Sequence, residues 1–268
     1  MIFVHPLIDP VIVSFGFLQI RWYSLAYVIG FLAGIYLIKK INTKYFNPIK
    51  NKIIEDFFLW SVIAVILGGR LGYVFFYQIE NTITNPLSIF YIWQGGMSFH
   101  GGLIGIIFAI LFYSKYKNIN FFQLSDLISV VAPIGLFLGR IANFINLELY
   151  GRTTNFFIAV IYPNLDNAPR HPSQIYEAVF EGIILFLILI IIFHKTAKNN
   201  QFGFTSSFFL IFYGVFRFLL EFLREPDLQI GFFFNLFTMG QLMCIPMIIF
   251  GIFIYIKIKN EYYRKNLN

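Results

Sequence analysis

Long apolar stretches separated by short polar segments fill most of this 268-residue chain. Seven of these stretches approach the roughly 20 residues that a helix needs to cross a bilayer. They cover residues 20–38, 56–77, 97–113, 122–144, 174–193, 203–222 and 239–257. The pattern predicts an all-α polytopic membrane protein in which residues 1–268 form a single domain with seven transmembrane helices.

The lysines indicate how these helices are oriented. All twelve fall in the loops that follow the first, third, fifth and seventh stretches: Lys39, Lys40, Lys44, Lys50, Lys52, Lys115, Lys117, Lys195, Lys198, Lys257, Lys259 and Lys265. These loops share one side, and the positive-inside rule assigns that side to the cytoplasm. The N-terminus is then outside and the C-terminus cytoplasmic. The longest outer loop, 145–172, is expected to form a small extracytoplasmic cap with strands and turns.

Composition supports the membrane assignment and argues against a nucleic-acid partner. The chain is 58% hydrophobic and 12% charged, against about 25% charged residues in a soluble domain. The net charge of +7 does not indicate a nucleic-acid partner, because the lysines are explained by membrane orientation. Cys244 is the only cysteine, so an intrachain disulfide is impossible and a buried thiol is the simplest interpretation.

Most arginines are placed against the rule that the lysines follow. Only Arg264 shares their side, whereas seven others lie in outer loops or the outer portions of spans: Arg21, Arg70, Arg140, Arg152, Arg170, Arg217 and Arg224. Membrane orientation cannot explain them. They predict an electropositive functional site that faces the extracytoplasmic side.

The segment GRIANFINLELYGR, residues 139–152, ends one of the apolar stretches. Charged groups in a membrane helix cost roughly 2.5–3.5 kcal/mol each at its centre and less near the interface. On a helix, Arg140, Asn143 and Asn146 fall within a wedge of about 120°, and Glu148 follows them. A guanidinium flanked by amides suits a phosphate or a carboxylate.

The segment WQGGMSFHGGLIG, residues 93–105, opens the third stretch. Its glycines allow close approach of a backbone or a lipid, and a helix N-terminus offers free N–H groups to an anion. Close helix packing through small residues explains the glycines equally well. His100, set among them, is the natural candidate for a general base.

The segment YGVFRFLLEFLREPD, residues 213–227, places a polar stripe on the sixth stretch. Tyr213, Arg217, Glu221 and Arg224 share one helix face. Arg217 and Glu221 could simply pair with each other and hold the bundle together. Together with Arg140, however, Arg217 could form a two-arginine clamp on a phosphate.

A second polar stripe lies in HPSQIYEAVFEG, residues 171–182, where Pro172 and Ser173 mark a helix start. Gln174, Glu177 and Glu181 repeat on one face. We expect this stripe to orient the arginines. A hydrogen-bonded contact between helices is an equally good interpretation.

Two further motifs carry candidate residues. GGRLGYVFFY, residues 68–77, contains Arg70, and IRWYSLAY, residues 20–27, contains Tyr23, which could bind a headgroup or substrate. An aromatic belt at the membrane surface explains Trp22. The histidines lack the spacing of metal ligands, and a phosphate-binding P-loop is missing, so we expect neither a metal nor a cofactor.

The combination resembles the bacterial phosphatidylglycerol–prolipoprotein diacylglyceryl transferase family, whose signature is similar to GRIANFINLELYG. HGGLIG, HPSQIYE, GGRLGYVFFY and the Arg217 stripe resemble that family's blocks in the same order. The resemblance implies an enzyme of the bacterial inner membrane in the first step of lipoprotein maturation. Its substrates would be phosphatidylglycerol and prelipoproteins with a lipobox cysteine, whose thiol receives the diacylglyceryl group as glycerol phosphate leaves.

The resemblance and the residue patterns together give the expected site. Three residues are expected in catalytic roles: His100 as the base, Arg140 and, as a weaker base, Tyr23. Substrate binding is expected of Arg140, Asn143, Asn146, Glu148, Gly151, Arg217, Glu221, Tyr213 and Arg70. The alternative from another class is a transporter or flippase for an anionic lipid or solute, which would use the same arginines. Inner halves almost bare of charge favour the enzyme, because transporters place polar groups near the midplane.

Overall fold

The computed structural model describes residues 3–16, 18–44, 49–91, 96–226, 231, 233 and 236–267. Within them, the helices are α1 Trp22–Lys44, α2 Asn51–Tyr77, α3 Ile79–Thr84, α4 Phe99–Lys117, α5 Phe121–Ile145, α6 Ser173–Ala197, α7 Phe204–Leu220 and α8 Met239–Leu267. A short 3-10 helix, Pro86–Phe90, follows α3. Helix α6 contains a π-helical segment at Ala178–Ile184.

In the described part of the chain, six helices are long and apolar enough to cross a membrane: α1, α2, α4, α5, α6 and α8. They correspond to six of the seven predicted spans, so the assignment as a multi-pass membrane protein is confirmed. The remaining predicted span, 203–222, is the apolar helix α7, which has 17 residues. It is shorter because the chain turns after Leu220 and leaves the helix.

Short strands accompany the helices, whereas the prediction included strands only in the 145–172 loop. Strand β1 Phe3–Val4 pairs in parallel with β4 Val160–Ile161, which pairs antiparallel with β5 Pro169–Arg170. Strands β2 Val11–Phe15 and β3 Leu18–Arg21 form a hairpin just before α1. Gly16, with φ +60°, lies in the hairpin turn, a backbone conformation that glycine adopts without strain. The 145–172 loop contains two of these strands, β4 and β5.

Helices α2 and α4 touch through their backbones. A Cβ on Gly101 would lie 2.7 Å from the Cα of Gly72, and a Cβ on Gly105 would lie 3.1 Å from the Cα of Gly68. Small residues four apart on both helices permit this approach. The packing interpretation of the HGGLIG glycines is therefore correct for Gly101 and Gly105.

Helix α5 is the central helix, and its first turns hold the start of α7. Asp126 is fully buried and accepts hydrogen bonds from the backbone N–H of Gly203 at 2.7 Å and of Ser206 at 2.8 Å. The Ser206 hydroxyl donates to the same carboxylate. This carboxylate caps the N-terminus of α7 from a neighbouring helix, and α7 carries Tyr213 and Arg217 at its other end.

Candidate active site

The ion pairs at the centre of the site join α5, α6 and α7. Arg140 contacts Glu177 at 2.8 Å and Glu181 at 3.1 Å. Arg217 contacts the other oxygen of Glu177 at 2.5 Å and Glu221 at 2.5 Å. Glu177 is 0% exposed and lies between the two guanidinium groups. The polar stripe of α6 therefore orients both arginines, as expected for its two glutamates.

A π-helical segment carries part of this network. Glu177 immediately precedes the segment Ala178–Ile184, and Glu181 lies within it. Such insertions occur often at functional sites. Here the segment and the residue just before it present two carboxylates, each 0% exposed, to Arg140.

Thr238, which the sequence did not single out, completes the network on the side of Glu221. Its hydroxyl donates to the Glu221 carboxylate at 2.9 Å, and Arg224 lies 3.9 Å from the same carboxylate. Thr238 precedes α8 directly, so its contact ties α8 to the end of α7. An isolated threonine beside an apolar stretch gave no signal of this role.

The two amides of the signature bind Glu148. Helix α5 ends at Ile145 with Asn146 as its C-cap. Asn143 donates to the Glu148 carboxylate at 3.1 Å, and Asn146 donates to its other oxygen at 3.5 Å. The Glu148 N–H in turn donates to the Asn143 carbonyl at 3.0 Å. Instead of lying open for a phosphate, both amides hold a carboxylate in place.

A cavity of about 1790 Å³ brings most of the expected residues together. On α5 its lining runs from Phe121 to Asn143, almost the length of the helix. Apolar and aromatic side chains line most of it, which is the environment of a lipid chain. The expected site residues on its wall are Tyr23, His100, Arg140, Asn143, Asn146, Glu148, Tyr213, Arg217 and Glu221.

His100 lies in the first turn of α4, whose N-cap is Ser98. Its Nε2 atom is buried and has no hydrogen-bond partner among the described residues. The neighbouring Phe99 stacks on Tyr213 with ring centroids 4.3 Å apart, which holds this turn against α7. An imidazole nitrogen on the cavity wall can exchange a proton with a bound group. The first residues of this motif, 93–95, lie outside the described residues.

Arg70 and Gly151 do not line the cavity. Arg70 donates from Nε to the Ile89 carbonyl at 3.1 Å and from Nη2 to the Ser88 carbonyl at 2.6 Å, so it holds the 3-10 helix after α3. Gly151 donates its N–H to the His171 carbonyl at 2.9 Å. A Cβ there would lie 2.6 Å from the His171 Cβ, so glycine is required for packing. The expectation that both bind substrate finds no support in their positions.

The arginines placed against the positive-inside rule thus divide into two groups. Arg21, Arg140, Arg217 and Arg224 line the cavity, whereas Arg70, Arg152 and Arg170 do not. Arg170 binds Asp166 at 2.5 Å and Glu225 at 3.0 Å, and its guanidinium lowers the pKa of the Asp166 carboxyl. Arg152 donates to the Arg224 carbonyl at 3.0 Å. The second group fastens the loops around the site.

Gln174, the remaining member of the α6 stripe, contacts the signature loop rather than the arginines. It is 0% exposed and donates to the Glu148 carbonyl at 2.5 Å. The expectation that it orients the arginines is therefore wrong. The helical period identified the inward-facing position but could not identify the partner, because the loop after α5 is irregular.

The fold and the site define a class: a multi-pass membrane protein with buried arginine–glutamate pairs on the wall of a large, mostly apolar cavity. The chain belongs to the prolipoprotein diacylglyceryl transferase family, whose model matches residues 10–257. It is 51% identical over 247 residues to the phosphatidylglycerol–prolipoprotein diacylglyceryl transferase of Rickettsia felis, covering 92% of this chain and 95% of that protein.

Two other relatives carry the same name. The Rickettsia rickettsii protein is 53% identical over 247 residues, with 92% of this chain and 95% of the relative covered. The Rickettsia bellii protein is 48% identical over 252 residues, with 94% and 96% covered. The chain is an enzyme of the transferase class, as the resemblance of its motifs implied.

Proposed function

We propose that the protein transfers the diacylglyceryl group of phosphatidylglycerol to a cysteine thiol of prolipoproteins, the first step of lipoprotein maturation. The observation that carries this proposal is the pair Arg140 and Arg217, bridged by Glu177 on the wall of the large cavity. The relatives, about half identical over nearly the whole chain, are named for this reaction.

The shape of the cavity supports a lipid substrate. A volume of about 1790 Å³ exceeds the usual ~300–1,000 Å³ of small-molecule sites. Most of its charged residues, among them Arg140 and Glu148, lie toward the end of α5, while Phe121 and Ile128 line it nearer the start of that helix, where Lys257 is the exception. A phospholipid with a charged headgroup and two acyl chains has the same division.

The reaction makes two demands on the site. A thiolate is the nucleophile, and it attacks the glycerol carbon that bears the phosphate ester. A C–S bond forms, the C–O bond breaks, and the electron pair leaves with glycerol phosphate. The proton of the thiol must be accepted, and the charge developing on the leaving phosphate must be stabilised.

The site residues can be assigned to these demands. His100, which lines the cavity and whose Nε2 has no hydrogen-bond partner among the described residues, accepts the thiol proton, and Tyr23 is the weaker candidate. Arg140 and Arg217 stabilise the phosphate, because a guanidinium carries five N–H donors, more than its carboxylate contacts use. Glu148, held by Asn143 and Asn146, accepts hydrogen bonds from the headgroup hydroxyls. The sequence predicted only that Glu148 binds substrate, and this acceptor role is our addition. Glu221 orients Arg217, and Tyr213 lines the cavity beside it.

The arrangement in the membrane is also part of the proposal. We infer that α7 is a seventh membrane span, since 17 residues lie at the short end of the range of about 17–25 for such helices. The lysine loops then face the cytoplasm, and the N-terminus and the 145–172 cap lie outside. The active site faces the extracytoplasmic side of the bacterial inner membrane, where a lipobox cysteine of an exported prolipoprotein is accessible.

A transfer assay tests this function directly. Purified protein is incubated in detergent with phosphatidylglycerol and a peptide that contains a lipobox cysteine, and the peptide is analysed by gel shift and mass spectrometry. We expect the peptide to gain one diacylglyceryl unit, and the same peptide with cysteine replaced by serine to remain unmodified. An unmodified cysteine peptide with folded protein would contradict the proposal and favour lipid transport.

A further inference from the structure

Gln174 occupies a buried position between the cap loop and the signature loop. Its amide nitrogen donates to the Glu148 carbonyl at 2.5 Å. Its amide oxygen accepts a hydrogen bond from the Tyr162 hydroxyl at 3.2 Å. Because Tyr162 supplies a proton to the oxygen, the amide is fixed in the orientation that points its N–H groups at Glu148. Both functional groups of this side chain are therefore used.

His5 supports the same arrangement from the N-terminal segment. It is 2% exposed and its ring stacks on Tyr162, with centroids 5.7 Å apart. The Leu7 N–H donates to Nδ1 at 3.1 Å, so the proton of the neutral ring is on Nε2. That nitrogen lies 3.0 Å from the Phe144 carbonyl and donates to it. His5 thus holds the last turn of α5, next to Asn143.

The loop between these two anchors has a strained backbone. Leu147 has φ +59° and Leu149 has φ +57°, a region that a leucine rarely adopts. Such residues persist when the surrounding structure fixes them, and they occur often at ligand sites. Glu148 stands between the two leucines and is one of the residues that line the cavity. The strain therefore surrounds a residue of the proposed headgroup site.

We propose that Gln174, oriented by Tyr162 and supported by His5, is a positioning residue that holds the Glu148 carboxylate toward the headgroup of the lipid during transfer. This proposal rests on the proposed function. Gln174 touches neither substrate nor reacting atoms. It holds the backbone carbonyl of Glu148 and so fixes where this residue starts. Asn143 and Asn146 then orient the carboxylate of its side chain.

The substitution Gln174→Met tests the role, because methionine keeps the length of the side chain and removes both the donor to Glu148 and the acceptor for the Tyr162 hydroxyl. Leaving the partly buried Glu148 carbonyl without its partner has a cost that corresponds to roughly a tenfold change in rate. We expect kcat of the purified protein, measured in the transfer assay, to fall by about that factor. Asn42→Leu is the matched control. Asn42, near the end of α1, is 4% exposed and donates at 2.6 Å to the carbonyl of Ile49, which lies in the loop between α1 and α2. We expect this variant to lose thermal stability but to keep kcat.

A double variant separates positioning from general structural damage. If Gln174 acts through Glu148, then Gln174→Met combined with Glu148→Gln is no slower than Glu148→Gln alone. If the two losses multiply, or if Gln174→Met transfers at the wild-type rate, the proposal is wrong. Wild-type protein in the same assay distinguishes the two claims: failure of wild type to transfer contradicts the proposed function, whereas a normal rate for Gln174→Met contradicts the positioning role alone.

Tyr162→Phe keeps the test decisive if Gln174→Met does not fold. It removes only the hydroxyl that orients the amide and leaves the ring stacked on His5. We expect a smaller decrease in kcat, again absent when Glu148 is replaced by Gln. An unchanged kcat in a folded Tyr162→Phe protein would overturn the part of the proposal that assigns the orientation to Tyr162.

Discussion

Among single residues, Glu177 has the most consequential position. It is 0% exposed and binds Arg140 with one carboxylate oxygen and Arg217 with the other. Two guanidinium groups this close would repel each other without an intervening negative charge. The shared carboxylate therefore fixes their relative position, and in the proposed mechanism this reduces the reorganisation needed when charge develops on the phosphate.

Replacement of Arg140 should affect catalysis as severely as replacement of His100. Loss of one preorganised donor to a developing negative charge costs about 10²–10³-fold in kcat, and we expect this range for Arg140→Ala. The measurement is the rate of peptide lipidation in membranes, normalised to the amount of protein. Arg264→Ala is the matched control, since Arg264 is exposed near the end of α8. Near-normal transfer by Arg140→Ala would exclude the phosphate clamp.

Replacement of Glu177 should destabilise the protein itself. In Glu177→Gln the two arginines lose their shared partner inside the protein, and breaking a buried ion pair from one side costs about 3–5 kcal/mol. We expect a clearly lower melting temperature in detergent, measured by the change in tryptophan fluorescence. Glu225→Gln removes a carboxylate that is 39% exposed in its pair with Arg170 and should shift the melting temperature little. Equal shifts in the two variants would argue against a buried network.

At the scale of helices, the contact of α2 with α4 positions the first turn of α4, which carries His100. His100 precedes Gly101, whose backbone lies against Gly72. The position of the imidazole on the cavity wall therefore depends on glycines that themselves contact no substrate in the proposed mechanism.

This contact should not tolerate even a methyl group. In Gly101→Ala the new Cβ would lie 2.7 Å from the Cα of Gly72, and overpacking of this kind costs about 1–3 kcal/mol. We expect a lower melting temperature for Gly101→Ala, with Gly139→Ala as the control, because a Cβ on Gly139 meets nothing within 4 Å. If both variants melt at the wild-type temperature, the close packing of α2 and α4 is not as described.

Apolar length was sufficient to predict the long helices, since in lipid a helix is the arrangement that satisfies its backbone hydrogen bonds within a single continuous segment of this length. The helical period also identified Arg140, Glu177, Glu181 and Arg217 as inward-facing residues. It failed where the chain leaves regular structure: the β2–β3 hairpin depends on turn geometry at Gly16, and the partners of Asn143 and Gln174 depend on the loop around Glu148. Asp126 was missed because its partners, in residues 203–206, are distant in sequence.

At the scale of the whole molecule, the proposed topology places the site on the side of the membrane where an exported prolipoprotein is accessible. The proposed topology predicts which loops a membrane-impermeant reagent can reach. The lysine-rich loops are on the cytoplasmic side, and the cavity-lining arginines are on the extracytoplasmic side. We expect a cysteine at Asp166 to be labelled by an impermeant maleimide in intact spheroplasts, and a cysteine at Asn118 to be labelled only after the membrane is permeabilised. The native Cys244 is buried and serves as the background. The reverse labelling pattern would show that the site faces the cytoplasm.

The most direct test of the central claim is to quantify both products of one reaction. Purified wild-type protein and the Arg140→Ala variant are supplied with phosphatidylglycerol and a lipobox peptide, and the diacylglyceryl peptide and the released glycerol phosphate are measured together. We predict that wild type forms the two products in equal amounts and that Arg140→Ala forms both far more slowly. Glycerol phosphate released without lipidated peptide, or lipid bound or moved with neither product formed, would contradict a transferase that works through these arginines.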